Sequence, residues 1–473
     1  MTGAIGWAIL IPLGGALLAA AAGERASRWI AALAAAATTC AAIGVAASVA
    51  RHGPSRHPAG GWLAPLGIEL RADGLAATML LTIAAVAGLV AAHALADRSR
   101  AAACARSCPL WLFTWAALDA LVVSGDIFNL YVTLELATLA AVGLVADGEG
   151  PDAPRAALRY LLFALPGSLL YLLGVALIYG EHGALDPATL GAHVGASAPD
   201  TAAMALMTAG LCLKAALFPL HAWPVLAYTR ASPVAGALLA GLVGKAAFLV
   251  LVRLWLEVYP ATFTSAAGPV LGTLAAGAIL WGSLHALWQP RLRAVIAYSS
   301  VAHTGYLFMW FALGTRDALA GALFVVMSHA AASASMFLAT GAIARALGHD
   351  RVEGLTGLAH RLPIPFFALA LAGTSAMAMP PSSGFVGKWL LVRAAFETGH
   401  RLWAAVMLIG GLLAAAYVFR LLRRAFLPRP AGEPIAITRS SGGHAALALA
   451  LVAIALGLAP GLALDLLRGG SAP

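Results

Sequence analysis

Apolar runs follow one another along the whole chain and are separated by short polar connections. A run of about 20 apolar residues is long enough to cross the hydrocarbon core of a bilayer as an α-helix. The pattern therefore predicts an all-α membrane protein with about 14 transmembrane helices. The predicted spans are 4–22, 28–50, 74–96, 109–124, 127–146, 156–180, 201–220, 233–257, 267–288, 293–313, 316–345, 364–393, 402–424 and 443–467.

Two of these spans, the seventh and the twelfth, contain prolines that predict broken helices. The first break lies at Pro219 in LKAALFPLHAW (213–223), and the second at Pro380 and Pro381 in MAMPPSSGFVGKW (377–389). Proline removes a backbone donor and clashes with the preceding turn. Backbone groups that are freed at membrane depth are tolerated only where they are buried in protein or line water. Ordinary proline kinks are the alternative interpretation.

Broken helices at matching places in two halves of a chain are typical of transporters that are built from inverted repeats. The two breaks lie five spans apart and predict two inverted five-helix repeats, at 109–257 and 267–424. Helices 1–3 in residues 1–108 would precede them, and a loop with the last helix in residues 425–473 would follow. The first apolar run has no basic segment before it, so we expect a retained helix rather than a cleaved signal.

Composition supports a membrane protein and narrows the classes of partner. Hydrophobic residues make up 61% of the chain, charged residues 10%, and the mean hydropathy is +0.88. The formal charge of +9 comes from arginines in short connections and not from a continuous basic stripe, so no nucleic-acid partner is expected. The four cysteines lack zinc or cluster spacing, and no nucleotide or haem motif is present. We expect neither a metal nor a cofactor.

Arginine placement predicts the orientation of the chain. With 29 basic residues of which three are lysines, the chain holds 26 arginines, and 18 of them fall in the seven connections on one side of the predicted spans. The positive-inside rule makes that side cytoplasmic. We therefore expect a multi-pass protein of the bacterial inner (plasma) membrane with its N-terminus outside. These arginines are Arg25, Arg28, Arg98, Arg100, Arg106, Arg155, Arg159, Arg230, Arg291, Arg293, Arg345, Arg351, Arg361, Arg420, Arg423, Arg424, Arg429 and Arg439.

The only lysines of the chain, Lys214, Lys245 and Lys388, all lie inside apolar spans. Arginine keeps its proton in proteins, whereas a buried lysine can release its proton. A charge near the bilayer centre is costly and usually faces a polar cavity or a partner. A general preference for arginine explains the many arginines, but not why every lysine is intramembrane. We predict that the three lysines exchange protons; snorkelling lysines are the alternative.

Two carboxylates are candidates to act with these lysines. Glu135 is the one charged residue that follows Asp126 in the stretch 126–146, and Asp119 lies in the span before it. A neighbouring ammonium would hold such a carboxylate ionised. We predict a Glu135–Lys214 pair that switches between charged and neutral forms. A static ion pair that only fixes helix packing is the alternative.

Four histidines fall within or beside spans: His221, His285, His303 and His329. Their spacing lacks the patterns of metal sites, and histidine titrates near neutral pH, so a water-linked proton relay is the predicted role. His303 and His329 are the stronger candidates because Lys245 and Lys388 otherwise lie far apart along the chain. A satisfied core histidine is the alternative. Hydroxyl groups that could hydrogen-bond the connecting waters are those of Ser299, Ser300, Thr304, Ser328, Ser333 and Ser335.

Five segments together resemble the antiporter-like subunits that are shared by respiratory complex I, membrane-bound hydrogenases and Mrp-type sodium/proton antiporters. The FNLYV stretch and the GFVGK ending are most similar to the D-type subunit of the Mrp antiporter. One complex I branch has a glutamate where Lys388 stands, which argues against that branch. The resemblance covers roughly residues 60–467, through GDIFNLYVTLE (125–135), LKAALFPLHAW (213–223), SPVAGALLAGLVGKAAFLVLVR (232–253), RLRAVIAYSSVAHTGY (291–306) and MPPSSGFVGKW (379–389).

The resemblance implies a role for each candidate residue. Glu135 matches the fifth-helix glutamate that pairs with the seventh-helix lysine, here Lys214. Lys245 matches the central lysine of the eighth helix, and Lys388 matches the terminal lysine of the twelfth helix, which meets the exit path.

The second half of the implied relay departs from the family at one position. His329 falls where the family has its eleventh-helix histidine, and Ser333 stands four residues later, where several relatives carry another lysine. The resemblance therefore implies that the second-half relay of this chain has one lysine fewer than the relay of those relatives.

The expected function is that of a proton-translocating component, similar to the D-type subunit, of a multi-subunit monovalent cation/proton (Na+/H+) antiporter, and not that of an enzyme. Its partners would be homologous and small membrane subunits, protons, Na+ and the lipid bilayer. The first alternative is a proton-pumping membrane-arm subunit of a complex I-like NADH/quinone oxidoreductase or a membrane-bound hydrogenase. A stand-alone solute carrier or a structural scaffold is the second.

Overall fold

The structure is a computed structural model that describes residues 3–62, 67–97, 101–148, 150–428 and 443–469. These residues are almost entirely helical. In chain order the helices are α1 (Gly3–Ala21), α2 (Glu24–His52), α3 (Gly74–Ala96), α4 (Ala101–Val123), α5 (Ile127–Ala146), α6 (Ala153–His182), α7 (Pro187–His193), α8 (Ala198–Lys214), α9 (Pro224–Arg230), α10 (Pro233–Leu238), α11 (Gly244–Glu257), α12 (Ala261–Trp288), α13 (Leu292–Leu313), α14 (Arg316–Leu347), α15 (Leu358–Arg361), α16 (Pro363–Ala376), α17 (Ser383–Glu397), α18 (Arg401–Phe426), α19 (His444–Leu458) and α20 (Pro460–Gly469).

The described β-structure is one small hairpin between α2 and α3. Its strands, β1 (Ser55–Pro58) and β2 (Glu69–Ala72), pair antiparallel with Ser55 opposite Ala72. Leu70 also forms a bridge with Ser124 at the end of α4. The hairpin therefore covers one end of the helical bundle.

The all-α membrane fold class is confirmed, because nine helices of the described part are long and apolar enough to cross a bilayer. A tenth candidate is the pair α19 and α20, which is bent by 75°. The predicted number of fourteen crossings stays a prediction. Four of the arginines that predict the orientation, Arg98, Arg100, Arg429 and Arg439, lie outside the described residues, as does most of the predicted C-terminal loop.

Several helices extend a turn or more beyond the predicted spans, and the predicted division into domains stays a prediction. The helix that contains the fourth span begins at Ala101, so the proposed boundary at 108 falls inside α4. The boundary at 424 likewise falls inside α18. Polar and charged residues at helix ends, such as Arg106 and Arg424, continue the helix although they leave the apolar pattern, because tertiary contacts can override local patterning.

The helix α14 lies at the centre of the bundle. Its most apolar 18-residue window is completely buried, and it packs against α13, α16, α17 and α19. By contrast, α6 leaves a row of leucines exposed: Leu158, Leu162, Leu165, Leu169 and Leu173. In a membrane-spanning chain such a face is directed towards lipid or a neighbouring subunit. The buried His329 of α14 is therefore withdrawn from lipid.

Both predicted helix breaks exist, and their backbones match closely. α8 ends at Lys214, and α16 ends at Ala376. Two residues later, Ala216 and Ala378 have φ of 55° and 61°, in the left-handed region. The next amides also bond alike: Leu217 N donates to Cys212 O at 3.0 Å, as Met379 N does to Thr374 O at 2.9 Å.

The helices end several residues before the prolines that predict the breaks. The residue before a proline disfavours the α-helical region, so the chain leaves the helix earlier. The predicted span 201–220 is thus helical only as far as Lys214, and the predicted span 364–393 consists of the two helices α16 and α17.

The eighth predicted span contains a break of another kind. A π-helical turn at Leu239–Val243 separates α10 from α11. Such turns are rare and are frequently found at functional sites. No sequence signal predicts this turn, which lies directly before the helix that carries Lys245.

Candidate functional site

Glu135, Ser168 and Lys214 form a compact cluster in the first half of the chain, in which Ser168 and Lys214 are buried and Glu135 is partly buried. Lys214 Nζ lies 2.7 Å from Glu135 Oε2 and donates to Ser168 Oγ at 2.6 Å. The Ser168 hydroxyl in turn donates to the same carboxylate oxygen of Glu135. One carboxylate oxygen therefore receives both an ammonium and a hydroxyl, and the hydroxyl itself accepts from the ammonium.

The close crossing of α6 and α8 makes this cluster possible. A Cβ atom on Gly167 would lie 2.8 Å from Gly210 O and 2.9 Å from Lys214 Cγ. A Cβ atom on Gly210 would lie 2.4 Å from Gly167 O. The two glycines thus allow the backbones to touch, which brings Ser168 of α6 within reach of the lysine. The side chain of Asp126 caps the start of α5 by accepting from Asn129 N at 2.7 Å, and this holds the helix that carries Glu135.

Lys245 lies apart from any carboxylate among the described residues. It is 5% exposed, and its Nζ donates to Ala240 O in the π-helical turn. It borders a small cavity with room of ≈ 20 Å³ for a water-sized group, which Thr82 also lines. That volume accommodates about one water molecule. Among the described residues, the Lys245 ammonium is therefore stabilised by a backbone carbonyl beside a cavity and not by a counter-ion.

His329 and His303 lie in contact with each other in the second half of the chain. Their ring centroids are 4.3 Å apart, and both rings are buried. His303 Nδ1 is 2.8 Å from Ser299 O, whereas His329 Nδ1 has no hydrogen-bond partner among the described residues. Both rings interact electrostatically with Lys245 and with Lys388. Both lysines therefore act electrostatically on the same pair of touching rings.

Lys388 lies against the end of the second helix break. Its Nζ donates to Ala376 O, the last carbonyl of α16, at 2.8 Å. The same Nζ lies 4.2 Å from the centroid of the Tyr306 ring. His303 also interacts with the Ala376 carbonyl. The break thus supplies an acceptor that both the lysine and the histidine can use.

The structure brings the six predicted residues into two groups. Glu135 and Lys214 form the first group, while Lys245, His329, His303 and Lys388 form the second. Among the described residues, no hydrogen bond or ion pair connects Lys214 with Lys245. Coupling between the groups would therefore act through the electric field or through water.

The other predicted candidates lie outside these groups. Asp119 is completely buried, and neither of its carboxylate oxygens has a hydrogen-bond partner in the described part of the chain. His221 packs against Phe218 and Trp281, with ring centroids 5.5 and 6.0 Å apart, and the half-buried His285 stacks on Trp281. The structure does not place these two histidines beside the lysines.

The hydroxyl groups that were candidates for binding water mostly have protein partners. Ser299 bonds Tyr417 at 2.7 Å, and Ser328 bonds Ser375 at 2.7 Å. Ser333, at the position of the missing lysine, is buried, and its hydroxyl has no partner among the described residues. The remaining hydroxyl groups, those of Ser300, Thr304 and Ser335, donate to backbone carbonyls.

Sequence reasoning missed a network of four charges near the start of α3. Arg253 binds Asp73 through two hydrogen bonds of 2.5 and 2.8 Å, and Arg71 binds Asp73 at 2.7 Å and Glu257 at 2.5 Å. Burial alone would raise the pKa of the Asp73 carboxyl, but Arg253 and Arg71 hold it well below its usual range. The signal in the sequence was the position of Asp73 directly before an apolar span, which is typical of a residue that caps a helix. In the structure, Asp73 caps α3 by accepting from Ala76 N at 2.9 Å.

Two further members of the site were missed, namely Ser168 and Tyr306. A serine and a tyrosine inside apolar helices carry no distinguishing pattern, so their roles depend on which helix lies opposite. Among the described residues, no group of three or more histidine, cysteine, aspartate or glutamate side chains could hold a metal ion.

The family model described as NADH:quinone oxidoreductase/Mrp antiporter, transmembrane, matches residues 124–414. The chain belongs to this family of antiporter-like membrane subunits. It is 36% identical over 403 residues to the N subunit of the NADH-quinone oxidoreductase of Desulforudis audaxviator, covering 82% of this chain and 79% of the relative. It is 29% identical over 391 residues to the D-type subunit of the Na+/H+ antiporter of Alkalihalophilus pseudofirmus, covering 81% and 78%.

Solved structures of three kinds of complex resemble this fold. A chain of an archaeal membrane-bound sulfane sulfur reductase aligns with a TM-score of 0.92 at 27% identity, over 99% of this chain and 97% of that one. A chain of the Mrp complex from Dietzia sp. aligns with a TM-score of 0.89 at 25% identity, over 99% and 96%. A chain of Thermus thermophilus complex I aligns with a TM-score of 0.79 at 25% identity, over 100% of both.

Proposed function

We propose that this chain is a proton-translocating subunit of a hetero-oligomeric membrane complex, and that Glu135, Lys214, Lys245, His329, His303 and Lys388 carry the protons. The carrying observation is the pair of touching, buried histidines, which interacts electrostatically with both Lys245 and Lys388. Buried lysines that contact backbone carbonyls and no carboxylate are poorly placed to stabilise the fold. They are well placed to gain and lose protons, as intramembrane ionisable groups commonly do in pumps and transporters.

In the first half, the cluster around Lys214 would act as a switch. A proton that binds Glu135 converts its carboxylate to a neutral carboxyl and removes the counter-charge of the Lys214 ammonium. Lys214 could then release its own proton and become a neutral amine. Ser168, which bonds both groups, would keep them aligned through the exchange. The Glu135 carboxyl would then pass its proton to the neutral Lys214 amine, 2.7 Å away, and so restore the starting ion pair. Each turn of this cycle takes up one proton at Glu135 and releases one from Lys214.

In the second half, protons would pass between Lys245 and Lys388 through the two histidines. A neutral imidazole accepts a proton on one ring nitrogen and releases another from the opposite nitrogen, so it can pass a proton on. The 4.3 Å contact between the rings supports this route. Since Lys214 and Lys245 are not bonded, the two halves would communicate electrostatically.

The proposed architecture has about 14 crossings and two inverted five-helix repeats, over 109–257 and 267–424, with the N-terminus outside the bacterial plasma membrane. Support for the repeats comes from the two breaks, where Ala216 and Ala378 share the same backbone conformation. Arginine placement supports the orientation.

Two host complexes are consistent with the chain. The FNLYV and GFVGK segments favour a monovalent cation/proton antiporter, in which Na+ would be the counter-transported ion. The higher identity to the N subunit of the oxidoreductase, 36% against 29% to the D-type antiporter subunit, favours a complex I-like assembly. Affinity purification of the tagged chain from its host separates them. Small antiporter subunits would identify the first host, and subunits that bind iron–sulfur clusters or quinone the second.

Proton translocation is tested by replacing Lys388, which we place at the end of the relay. In vesicles that contain the assembled complex, Lys388→Ala should reduce proton movement to background because no exchangeable group remains. Lys388→Glu should retain partial activity, since a carboxyl group can also exchange a proton. Immunoblots of the complex provide the assembly control. Equal loss of activity in both variants would reject the assignment of Lys388 to proton exchange.

A further inference from the structure

Lys388 differs from Lys214 in the chemistry of its immediate partners. Lys214 contacts a carboxylate, whereas the ammonium of Lys388 lies between the Ala376 carbonyl and the face of the Tyr306 ring, 4.2 Å from its centroid. The face of an aromatic ring carries negative charge density and attracts a cation, most strongly when both are desolvated. Lys388 is 5% exposed and Tyr306 is 1% exposed, so this contact is desolvated.

The orientation of the Tyr306 ring is fixed by α18. The Tyr306 hydroxyl donates to Met407 O at 2.6 Å. A Cβ atom on Gly410 would lie 2.7 Å from the Tyr306 Oη, so the glycine leaves room for the hydroxyl to reach the helix. The hydroxyl therefore serves as an anchor, and the ring face remains directed at the lysine.

The other titratable groups around Lys388 come from three helices. α13 supplies His303 in addition to Tyr306, α14 supplies His329, and α18 supplies Tyr417, which lies beside Tyr306. The packed helices α16 and α19 carry no ionisable side chain except His444, at the first residue of α19. Among the described residues, no carboxylate contacts this ammonium.

We propose that Tyr306 is a positioning residue for proton exchange at Lys388. Its ring holds the ammonium form against the Ala376 carbonyl and His303 without being able to take the proton. A carboxylate in the same place would form an ion pair and could itself take up a proton, as Glu135 does in the proposed cycle. The ring thus stabilises the charged form of Lys388 and leaves the histidines as the only neighbouring acceptors among the described side chains. This inference rests on the proposed function.

The two parts of Tyr306 can be removed separately. Tyr306→Phe keeps the ring face and deletes the hydrogen bond to Met407, while Tyr306→Leu deletes the ring. Phe308→Leu is the matched control, because Phe308 lies on the same helix and packs on Phe248 with ring centroids 5.6 Å apart. Proton transport of each assembled complex would be measured in vesicles from about pH 6 to about pH 10, a range that includes the ordinary pKa values of histidine and lysine.

We expect the pH profile of transport to change in Tyr306→Leu and to stay the same in Tyr306→Phe. In Tyr306→Leu the alkaline limb of the transport profile should move to lower pH by about one unit, because the ammonium loses a desolvated cation–π contact. Tyr306→Phe and Phe308→Leu should keep the profile of the unmodified complex. A purely structural role predicts the opposite, namely that Tyr306→Phe loses assembly or rate while no variant moves the limb.

The same Tyr306 variants, combined with Lys388→Glu, separate this inference from the proposed function. In Lys388→Glu complexes, the difference between Tyr306→Phe and Tyr306→Leu should disappear, because no cation remains to contact the ring. A persisting difference would overturn the inference. If Lys388→Ala transports protons normally, the proposed function itself fails. If Lys388→Ala is inactive and Tyr306→Leu keeps the normal profile, only the role of Tyr306 is rejected.

Discussion

Two ion clusters in this chain contain similar groups but differ in what they can do. The cluster at Asp73 joins two arginines to two carboxylates, and Arg253 alone makes three hydrogen bonds within it. The cluster at Glu135 contains one carboxylate, one lysine and one serine hydroxyl. The two cations of the first cluster keep their charge, because arginine does not release its proton. We propose that the second cluster changes its charge, because a buried lysine can release its proton.

The α11 helix carries both kinds of residue. Lys245 and Arg253 are eight residues apart, which is about 12 Å along the helix. Lys245 contacts only a carbonyl of the π-helical turn, whereas Arg253 is bonded to Asp73 in a bidentate manner. One helix therefore connects an ion-paired arginine near its end with a buried lysine that we propose exchanges protons.

The static cluster should also withstand acid. Because the folded-state pKa of Asp73 is lowered, its contribution to stability is fully present above the ordinary carboxyl pKa and is lost only as the pH falls through the folded-state value. Throughout the neutral and alkaline range the Asp73 carboxylate therefore keeps its charge. We infer that it supports the structure while the lysines exchange protons.

Exchanging the two cations gives the largest expected effect. Lys214→Arg should reduce proton transport to background while the complex still assembles, since arginine keeps the charge but cannot cycle its proton. Arg253→Lys should leave proton exchange in place and destabilise the protein by about 1.5–3 kcal/mol, because one hydrogen bond to the Asp73 carboxylate is lost. Vesicle transport and thermal denaturation in detergent measure the two effects. Normal transport by Lys214→Arg would make the Glu135 cluster as static as the Asp73 cluster.

Removing the counter-charge tests whether the Glu135 cluster is a true pair. Glu135→Gln should block turnover and destabilise the fold by about 3 kcal/mol, since it leaves a buried ammonium without a carboxylate. Adding Lys214→Met removes that ammonium, so the double variant should melt at a higher temperature than Glu135→Gln alone. Melting curves of both variants in the same detergent decide this. A single variant that is as stable and active as the unmodified protein would refute the pairing.

The smallest effect is expected at Ser168. This hydroxyl has no counterpart among the two arginines and two carboxylates of the Asp73 cluster. Ser168→Ala should slow transport about tenfold, because a hydrogen bond to charged groups is lost while both charges remain. Ser168→Thr should retain most of the rate because it keeps the hydroxyl. Thr138→Ala is a suitable control, since the Thr138 hydroxyl donates only to Leu134 O of its own helix. An equal effect of Ser168→Ala and Thr138→Ala would remove Ser168 from the exchange.

Much of the architecture could be predicted from local signals. The apolar runs indicated the membrane helices, and Pro219 and Pro380 indicated the two breaks. The boundaries were less accurate because a helix continues through Arg106 and ends at Lys214, where neither hydropathy nor proline placement changes. The π-helical turn before Lys245 could not be predicted, because its residues, LAGLV, are ordinary helix formers in an apolar run.

The sequence by itself identified the candidates for proton exchange: three lysines in a chain that otherwise uses arginine, and histidines in apolar helices. Tertiary structure decided the partners of each one. Lys214 contacts the Glu135 carboxylate and the Ser168 hydroxyl, whereas Lys388 contacts the Ala376 carbonyl and the Tyr306 ring. The physical reason is the range of the interactions. Side-chain identity sets whether a proton can be released, but a hydrogen bond needs about 3 Å between its atoms, and only the crossing of distant helices sets such distances.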